Sequence, residues 1–178
     1  MVILRDMIES DIEDYVRWFT DTSEENDWVY LDAPWEPLEG TEAEERAFWT
    51  AYYETVRELS LDAPRWKFEI EADGAHIGWV SAYDDLGYLE NPDKILAVGI
   101  DIPERRHRRH GYGREALVQF MDYLKSQGHT RVLTQTWSGN TPMLRLAERL
   151  GFHEYARAKD LREVDGQKYD AVTIIKEL

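Results

Sequence analysis

The spacing of apolar positions divides the chain into short strands and amphipathic helices. Residues 2–6 form a brief apolar run and read as a first strand. Ser10-Asp11-Ile12-Glu13 has the capping-box pattern and predicts a helix from about 11 to Phe19. Residues 20–40 have no period; they read as irregular, acidic and aromatic, with Trp28, Tyr30 and Trp35 set among Asp27, Asp32, Glu36 and Glu39. Thr41-Glu42-Ala43-Glu44 is a second capping box. It opens a helix that carries Phe48, Trp49, Tyr52 and Val56 on or near one face and ends about Leu59.

Residues 66–72 alternate as a strand, Asp73-Gly74 is a hairpin signal, and 75–83 is the return strand. After a loop with Gly87, Asn91 and Pro92, residues 95–102 are the most apolar strand and stop at Pro103. The helix behind Gly113 directs Leu117, Phe120, Met121 and Leu124 to a core and ends at Gly128. Residues 131–137 are a β-branched strand. A shorter helix spans 141–150, with Pro142 in its first turn and Gly151 at its end. Residues 152–158 and 169–177 are the last strands, with an Asp165-Gly166 turn in their connection. Strands mixed with helices predict one α/β domain over residues 1–178.

Composition narrows the partners. The net charge of −15 argues against nucleic acid. The charge is uneven: residues 1–93 carry 25 acidic and 6 basic side chains, residues 94–178 carry 11 and 15. An anionic ligand therefore belongs with the second half, and the acidic first half favours a cationic one, beyond its general role in solubility. The absence of cysteine excludes disulfides, a thiol nucleophile and thiolate zinc sites. No signal-peptide pattern and no bilayer-length apolar run is visible, so a cytoplasmic protein with no membrane partner is expected.

The chemistry concentrates at Arg108-Arg109-His110-Gly111-Tyr112-Gly113, directly before a helix. Two glycines one residue apart let the backbone turn tightly and approach a ligand. The free N–H groups and dipole of the following helix suit a phosphate. Arg105, Arg106, Arg108 and Arg109 add positive charge. Gly111 to Ala116 also fits the loose dinucleotide pattern G-x-G-x-x-G/A, but the preceding strand stops at Pro103 and the next ends in Thr136-Trp137 without a carboxylate. A Walker Gly-Lys-Ser/Thr is absent. A pyrophosphate-bearing cofactor other than a nicotinamide dinucleotide is the reading that remains.

The same stretch, preceded by Ala97-Val98-Gly99-Ile100-Asp101-Ile102, resembles the Arg/Gln-x-x-Gly-x-Gly/Ala signature of the GNAT superfamily of acyl-CoA-dependent N-acetyltransferases. A second segment is similar too: Trp137 to Asn140, a short helix, then Leu150-Gly151-Phe152. The likeness covers nearly the whole chain and comes nearest to the RimJ/RimL-like, ribosomal-protein alanine acetyltransferase branch. It implies a mixed central sheet flanked by helices, and acetyl transfer from acetyl-CoA to a primary amine, either a protein N-terminus or a small cationic amine. A homodimer is compatible with it.

By that resemblance, main-chain amides from Arg108 through Arg109, His110, Gly111, Tyr112 and Gly113 to Arg114 hold the CoA pyrophosphate, and the Arg108 side chain is partly structural. Ile100 and Ile102 offer backbone groups to the pantetheine arm and an N–H to the thioester oxygen. Asn140 matches a pantetheine contact; it also suits a helix N-cap, and both can hold. The tyrosine that many members supply seven residues after the asparagine is Ala147 here, and no general acid is carried over. Tyr155 and Tyr112 are the nearest tyrosines, and neither is singled out.

A protonated amine must lose a proton before it attacks. Glu69 is the first expectation for the base and Asp101 the second, with Glu71 and Glu104 as further carboxylates. Trp28, Tyr30 and Trp35 either pack the first helices or line an acceptor pocket, where rings and carboxylates bind a cation. Trp137 is pocket or core. His107 and His110 are phosphate-proximal, and no metal site is expected. The competing reading is a non-catalytic acyl-CoA-binding or regulatory module of the same fold, which the alanine at position 147 alone supports.

Overall fold

The computed structural model describes residues 1–178. Its strands are β1 (Val2–Arg5), β2 (Lys67–Ala72), β3 (Ala75–Tyr83), β4 (Ala97–Asp101), β5 (Arg131–Trp137), β6 (His153–Val164) and β7 (Gln167–Glu177). Its helices are α1 (Asp11–Thr20), α2 (Trp28–Asp32), α3 (Glu42–Arg57), α4 (Tyr112–Ser126) and α5 (Thr141–Arg149). The strands form one seven-stranded sheet in the order β1-β2-β3-β4-β5-β7-β6. Only the β4–β5 pair is parallel. No helix is long and apolar enough to cross a membrane.

Each face of the sheet has its own core. On one, Leu117, Phe120 and Leu124 of α4 and Ala147 of α5 pack on Ile70, Ile77, Val80, Val98, Val132 and Val172. On the other, Ile12, Tyr15, Val16 and Trp18 of α1 meet Trp49 of α3 and Trp79 of β3. Trp18 and Phe120 are fully buried, a transfer contribution of about 1.5–3 kcal/mol for a side chain such as Phe120. Phe48, expected near that packed face, points outward and is 61% exposed.

Three local expectations are corrected. The capping box at Thr41 forms, with Thr41 and Glu44 bonding each other's backbone, but the one at Ser10 does not. There Asp11 turns its carboxylate to the Ile8 N–H at 2.9 Å and to the guanidinium of Arg5. Residues 20–40 are not wholly irregular: a 3-10 turn at Glu24–Asn26 precedes α2. The final strands are longer than their apolar runs, because β6 and β7 pair through polar residues up to Val164↔Gln167, around the Asp165-Gly166 turn.

A bulge in the β2–β3 pairing sets what faces what. Ile70 pairs with Gly78 and Glu71 with His76, leaving Ile77 as the extra residue on β3. His76 and Trp79, three apart in sequence, therefore share the α1/α3 face with Glu69 and Glu71.

Candidate active site

Gly111 is the N-cap of α4 in the left-handed region at φ +87°, and Arg109 sits at φ +65°. These two turns fold the loop back on itself before the helix. The first helical bond runs from Glu115 N–H to Gly111 O at 3.1 Å, and no side chain caps the helix start. The amides of Tyr112, Gly113 and Arg114 thus have no intrahelical acceptor, the arrangement that an anion-binding helix start offers. The site is fixed from behind: Tyr112 Oη donates to Asp73 at 2.6 Å, and Val2 N–H donates to Glu115 at 2.9 Å. The His110 ring stacks on Tyr112 at 5.4 Å, while Arg109 and Arg114 are exposed.

Arg108 points the other way. Its Nε donates to Ile102 O at 2.7 Å, one terminal nitrogen to Pro103 O and the other to Asp27. The side chain braces the end of β4 and is turned from the anion seat.

Beside the loop, β4 and β5 part. They bridge only at Ala97↔Leu133, with Leu133 N–H donating to Leu96 O at 2.8 Å. Beyond that point Gly99–Asp101 pair only with β3, and Thr134–Trp137 only with β7. The two-residue period of a strand puts the N–H and C=O of Val98, Ile100 and Ile102 on the edge that Leu96 turns to β5. Of these, Ile102 O is already taken by Arg108. Gly113 closes the gap from the α4 side: a methyl there would lie 3.5 Å from Ile100 Cδ1 and 3.7 Å from Leu146 Cδ2, ordinary contact.

The register places Lys67, Glu69, Trp79, Ser81, Tyr83, Gly99 and Asp101 on the opposite, α1/α3 face. Gly78 lets β4 come close, since a Cβ there would fall 2.0 Å from Asp101 O. Burial holds the Asp101 carboxyl well above the usual carboxylate range, and the charge of Asp32 pushes the same way, against Lys67 and Arg108. Asp32 itself is raised by burial and by Glu36. The Tyr83 phenol is raised by burial, then by Asp32 and Asp101.

Lys67 Nζ lies 4.3, 4.4, 4.9 and 5.2 Å from the ring centres of Tyr15, Trp49, Tyr52 and Trp79. Burial lowers its pKa to about 8, against the charges of Glu69 and Asp101. Glu69 is 1% exposed and fully engaged: Tyr15 Oη donates to Oε2 at 2.6 Å, His76 Nε2 is 3.0 Å from the same oxygen, and Lys67 Nζ is 3.9 Å from Oε1. The two further carboxylates are also paired. Glu71 accepts from Arg5 at 2.9 Å, and Glu104 from Trp18 at 3.0 Å and Arg17 at 2.8 Å.

The α2 segment lies over this face. Trp28 donates to Trp18 O at 3.0 Å and meets Trp79 edge-on at 5.4 Å. Trp137 at the end of β5 donates to Leu31 O at 2.8 Å, and Trp35 meets its ring at 6.2 Å. Arg162 of β6 covers Trp35 at 4.4 Å. Tyr30 is 58% exposed. Trp28 and Trp35 thus flank the face that holds Asp101, and Tyr30 points to solvent.

Residues 1–153 match the family described as the acetyltransferase (GNAT) domain. The chain belongs to this family. A GNAT member is an acetyltransferase, with acetyl-CoA as its cosubstrate. The fold is shared with Mycobacterium smegmatis RimJ in complex with CoA-disulfide, at 21% identity and TM-score 0.72, over 99% of this chain and 81% of that one. It is also shared with yncA from Salmonella typhimurium, solved with its cofactor acetyl-CoA, at 18% identity and TM-score 0.69 over 99% and 93%. Ribosomal-protein-alanine N-acetyltransferase from Brucella melitensis is similar at 17% identity and TM-score 0.69 over 99% of each chain. At these identities the likeness is one of fold. No curated protein matches the chain significantly.

Within this GNAT domain, Asn140 caps α5, its Oδ1 accepting from Met143 N–H at 3.1 Å. Ala147 is fully buried against the α4 core and supplies no proton. Tyr112 is tied to Asp73, and Tyr155 is half-exposed on β6. Sequence reasoning missed Asp32, Lys67, His76 and Tyr83. Alternation over 66–72 and 75–83 flagged the strands of Lys67, His76 and Tyr83, but only pairing brings Tyr83 and Asp101 onto one face, and Asp32 lies in α2.

Proposed function

We propose that the protein transfers acetyl from acetyl-CoA to a primary amine by direct attack in a ternary complex. The CoA diphosphate sits on the Tyr112–Arg114 amides, with Arg109 and His110 beside it and Gly111 allowing close approach. The pantetheine arm runs in the gap between β4 and β5, against the Ile100 edge and near Asn140. The observation that carries this reading is the alignment of that gap with the uncapped start of α4 on one side and the Asp101 carboxyl on the other.

The acceptor enters over α2 and the β2–β4 face. Asp32, Asp101 and Trp28 favour a cation there, so the acceptor is a protein N-terminus or a small cationic amine. Asp101, with its raised pKa, takes the proton from the bound ammonium. Glu69 is held by Tyr15 and His76, and serves by fixing the surrounding charges. The neutral amine then attacks the thioester carbon, and the Ile100 N–H stabilises the oxyanion. The C–S bond breaks, CoA leaves as a thiolate, which needs little acid with a thiol pKa of about 8.5, and the second proton of the attacking nitrogen passes to solvent as the amide forms. An acid at position 147 is therefore dispensable.

Turnover of acetyl-CoA against a panel of small amines and N-terminal peptides tests the reading, with release of free CoA as the signal. Calorimetry with acetyl-CoA gives binding in parallel. Binding without CoA release for any amine would favour the non-catalytic module instead.

A further inference from the structure

Two buried side-chain atoms have no hydrogen-bond partner, Asn26 Oδ1 and Thr136 Oγ1. Asn26 is otherwise engaged, its amide nitrogen donating to Trp18 O at 2.8 Å and to Asp21 O. The Thr136 hydroxyl is not engaged at all. A hydroxyl can donate one bond and accept two, and burying it unpaired is unfavourable. Valine has the same shape and suits a strand as well, so an orphan hydroxyl on β5 calls for something that it meets.

Its place on the sheet narrows what that is. Thr136 pairs with Val172 of β7, and cross-strand partners share a face. Val172 belongs to the α4/α5 core, as does Ala147, so the hydroxyl lies on that side of the sheet. Ile100 of β4 packs against the same core. The parallel strands β4 and β5 meet only at Ala97↔Leu133. Three residues further along each strand stand Ile100 and Thr136, level with one another on the two sides of the gap. Past the bridge, Ile100 pairs only with β3 and Thr136 only with β7.

We propose that the Thr136 hydroxyl donates a hydrogen bond to the sulfur of CoA and stabilises the departing thiolate. This rests on the reading of the gap as the pantetheine path. The oxygen and the sulfur of a thioester are bonded to one carbon. A donor level with Ile100 across the gap therefore serves the sulfur while the Ile100 N–H serves the oxygen. As the tetrahedral intermediate collapses, the electron pair of the C–S bond passes to sulfur. The hydroxyl keeps its proton and shares it in a charge-assisted bond, and the thiolate takes its own proton from solvent after release. Ala147, in the same core, has no proton to give.

Thr136→Val removes the hydroxyl at nearly constant shape, and Thr136→Ser keeps it. The thiol of bound CoA is titrated by its ultraviolet thiolate absorbance, with desulfo-CoA as the blank. Its pKa should rise by about one unit in Thr136→Val, a loss of about 10-fold in thiolate stabilisation, and return to the wild-type value in Thr136→Ser. With the best amine of the panel, kcat should fall by about 10-fold in Thr136→Val at unchanged acetyl-CoA affinity. Tm should hold or rise, because no bond within the fold is lost. An unchanged thiol pKa or an unchanged kcat overturns the assignment, and so does a Tm that falls together with kcat, which marks a structural hydroxyl. The titration needs no turnover, so it decides even if no amine of the panel reacts. Calorimetry separates the failures: CoA bound by the wild type leaves the site reading in place, and no binding overturns that reading and the assignment with it.

Discussion

His76 Nε2 and Glu69 Oε2 lie 3.0 Å apart on opposite arms of the β2–β3 hairpin, and His76 Nδ1 lies 3.0 Å from Asp14. The bulge at Ile77 makes this contact, because it returns His76 to the face of Glu69. Burial alone would lower the histidine pKa. The hydrogen bonds to Asp14 and Glu69 and the charges of Glu69 and Asp11 raise it to about 9 instead.

A histidine with a folded pKa above its unfolded 6.5 binds more protons when folded. Its stabilisation is whole below about pH 6.5 and is lost as pH rises towards 9. The amount is on the order of 3 kcal/mol, given 1.36 kcal/mol per pH unit. Lys67, lowered to about 8, acts in the opposite sense above that pH, so the His76 contribution is read between 6.5 and 8 as a difference from a variant without the ring. Denaturant melts should show the stability difference between wild type and His76→Gln shrinking as pH rises through that interval. A difference independent of pH would mean that the ring is not charged in the folded protein.

Asp101→Asn removes the proposed base without changing its size. A loss of kcat/KM of about 10²–10⁴ is expected, with CoA affinity kept. Because burial and Asp32 raise the Asp101 pKa, the wild-type pH profile should rise at a pH well above the usual carboxylate range. That limb should vanish in the variant. An unchanged profile would move the base elsewhere.

Gly111→Val forces a β-branched residue to φ +87° where no atom lies within 4 Å of the added Cβ. The variant should lose CoA binding through the distorted loop and keep its fold. Strain of about 1–3 kcal/mol at one residue lowers Tm by only several degrees in a chain of this size. Calorimetry and a melt check both halves; near-normal CoA affinity would count against the loop.

Asn140→Ala deletes the N-cap of α5, at a cost of about 1 kcal/mol and a Tm drop of about 2–4 °C. If Asn140 also meets the pantetheine arm, CoA affinity falls further than that of a distant cap variant such as Thr41→Ala. Equal CoA affinity in the two variants would leave Asn140 as a cap only.

Much of the fold was legible because its signals are local. The Thr41 box, the Asp73-Gly74 turn and the α4 stripe each lie within a few residues of chain. The Ser10 box failed because Ser10 itself is in the helical region and the Glu13 carboxylate is held by Arg46 of α3, a contact that a local pattern does not contain. The ends of β6 and β7 were missed because their outer halves are polar and held by pairing. At the site, the anion loop could be read from glycines and a helix start. Lys67 could not, since its surroundings combine α1, α3 and β3 around a residue of β2. Nor could Asp32, whose charge acts on Asp101, far along the chain.

The most direct test is a crystal structure with acetyl-CoA bound. The diphosphate should rest on the amides of Tyr112, Gly113 and Arg114, with the thioester between β4 and β5 and its carbonyl oxygen at the Ile100 N–H. A diphosphate bound elsewhere on the protein, or a thioester outside that gap, would contradict the account.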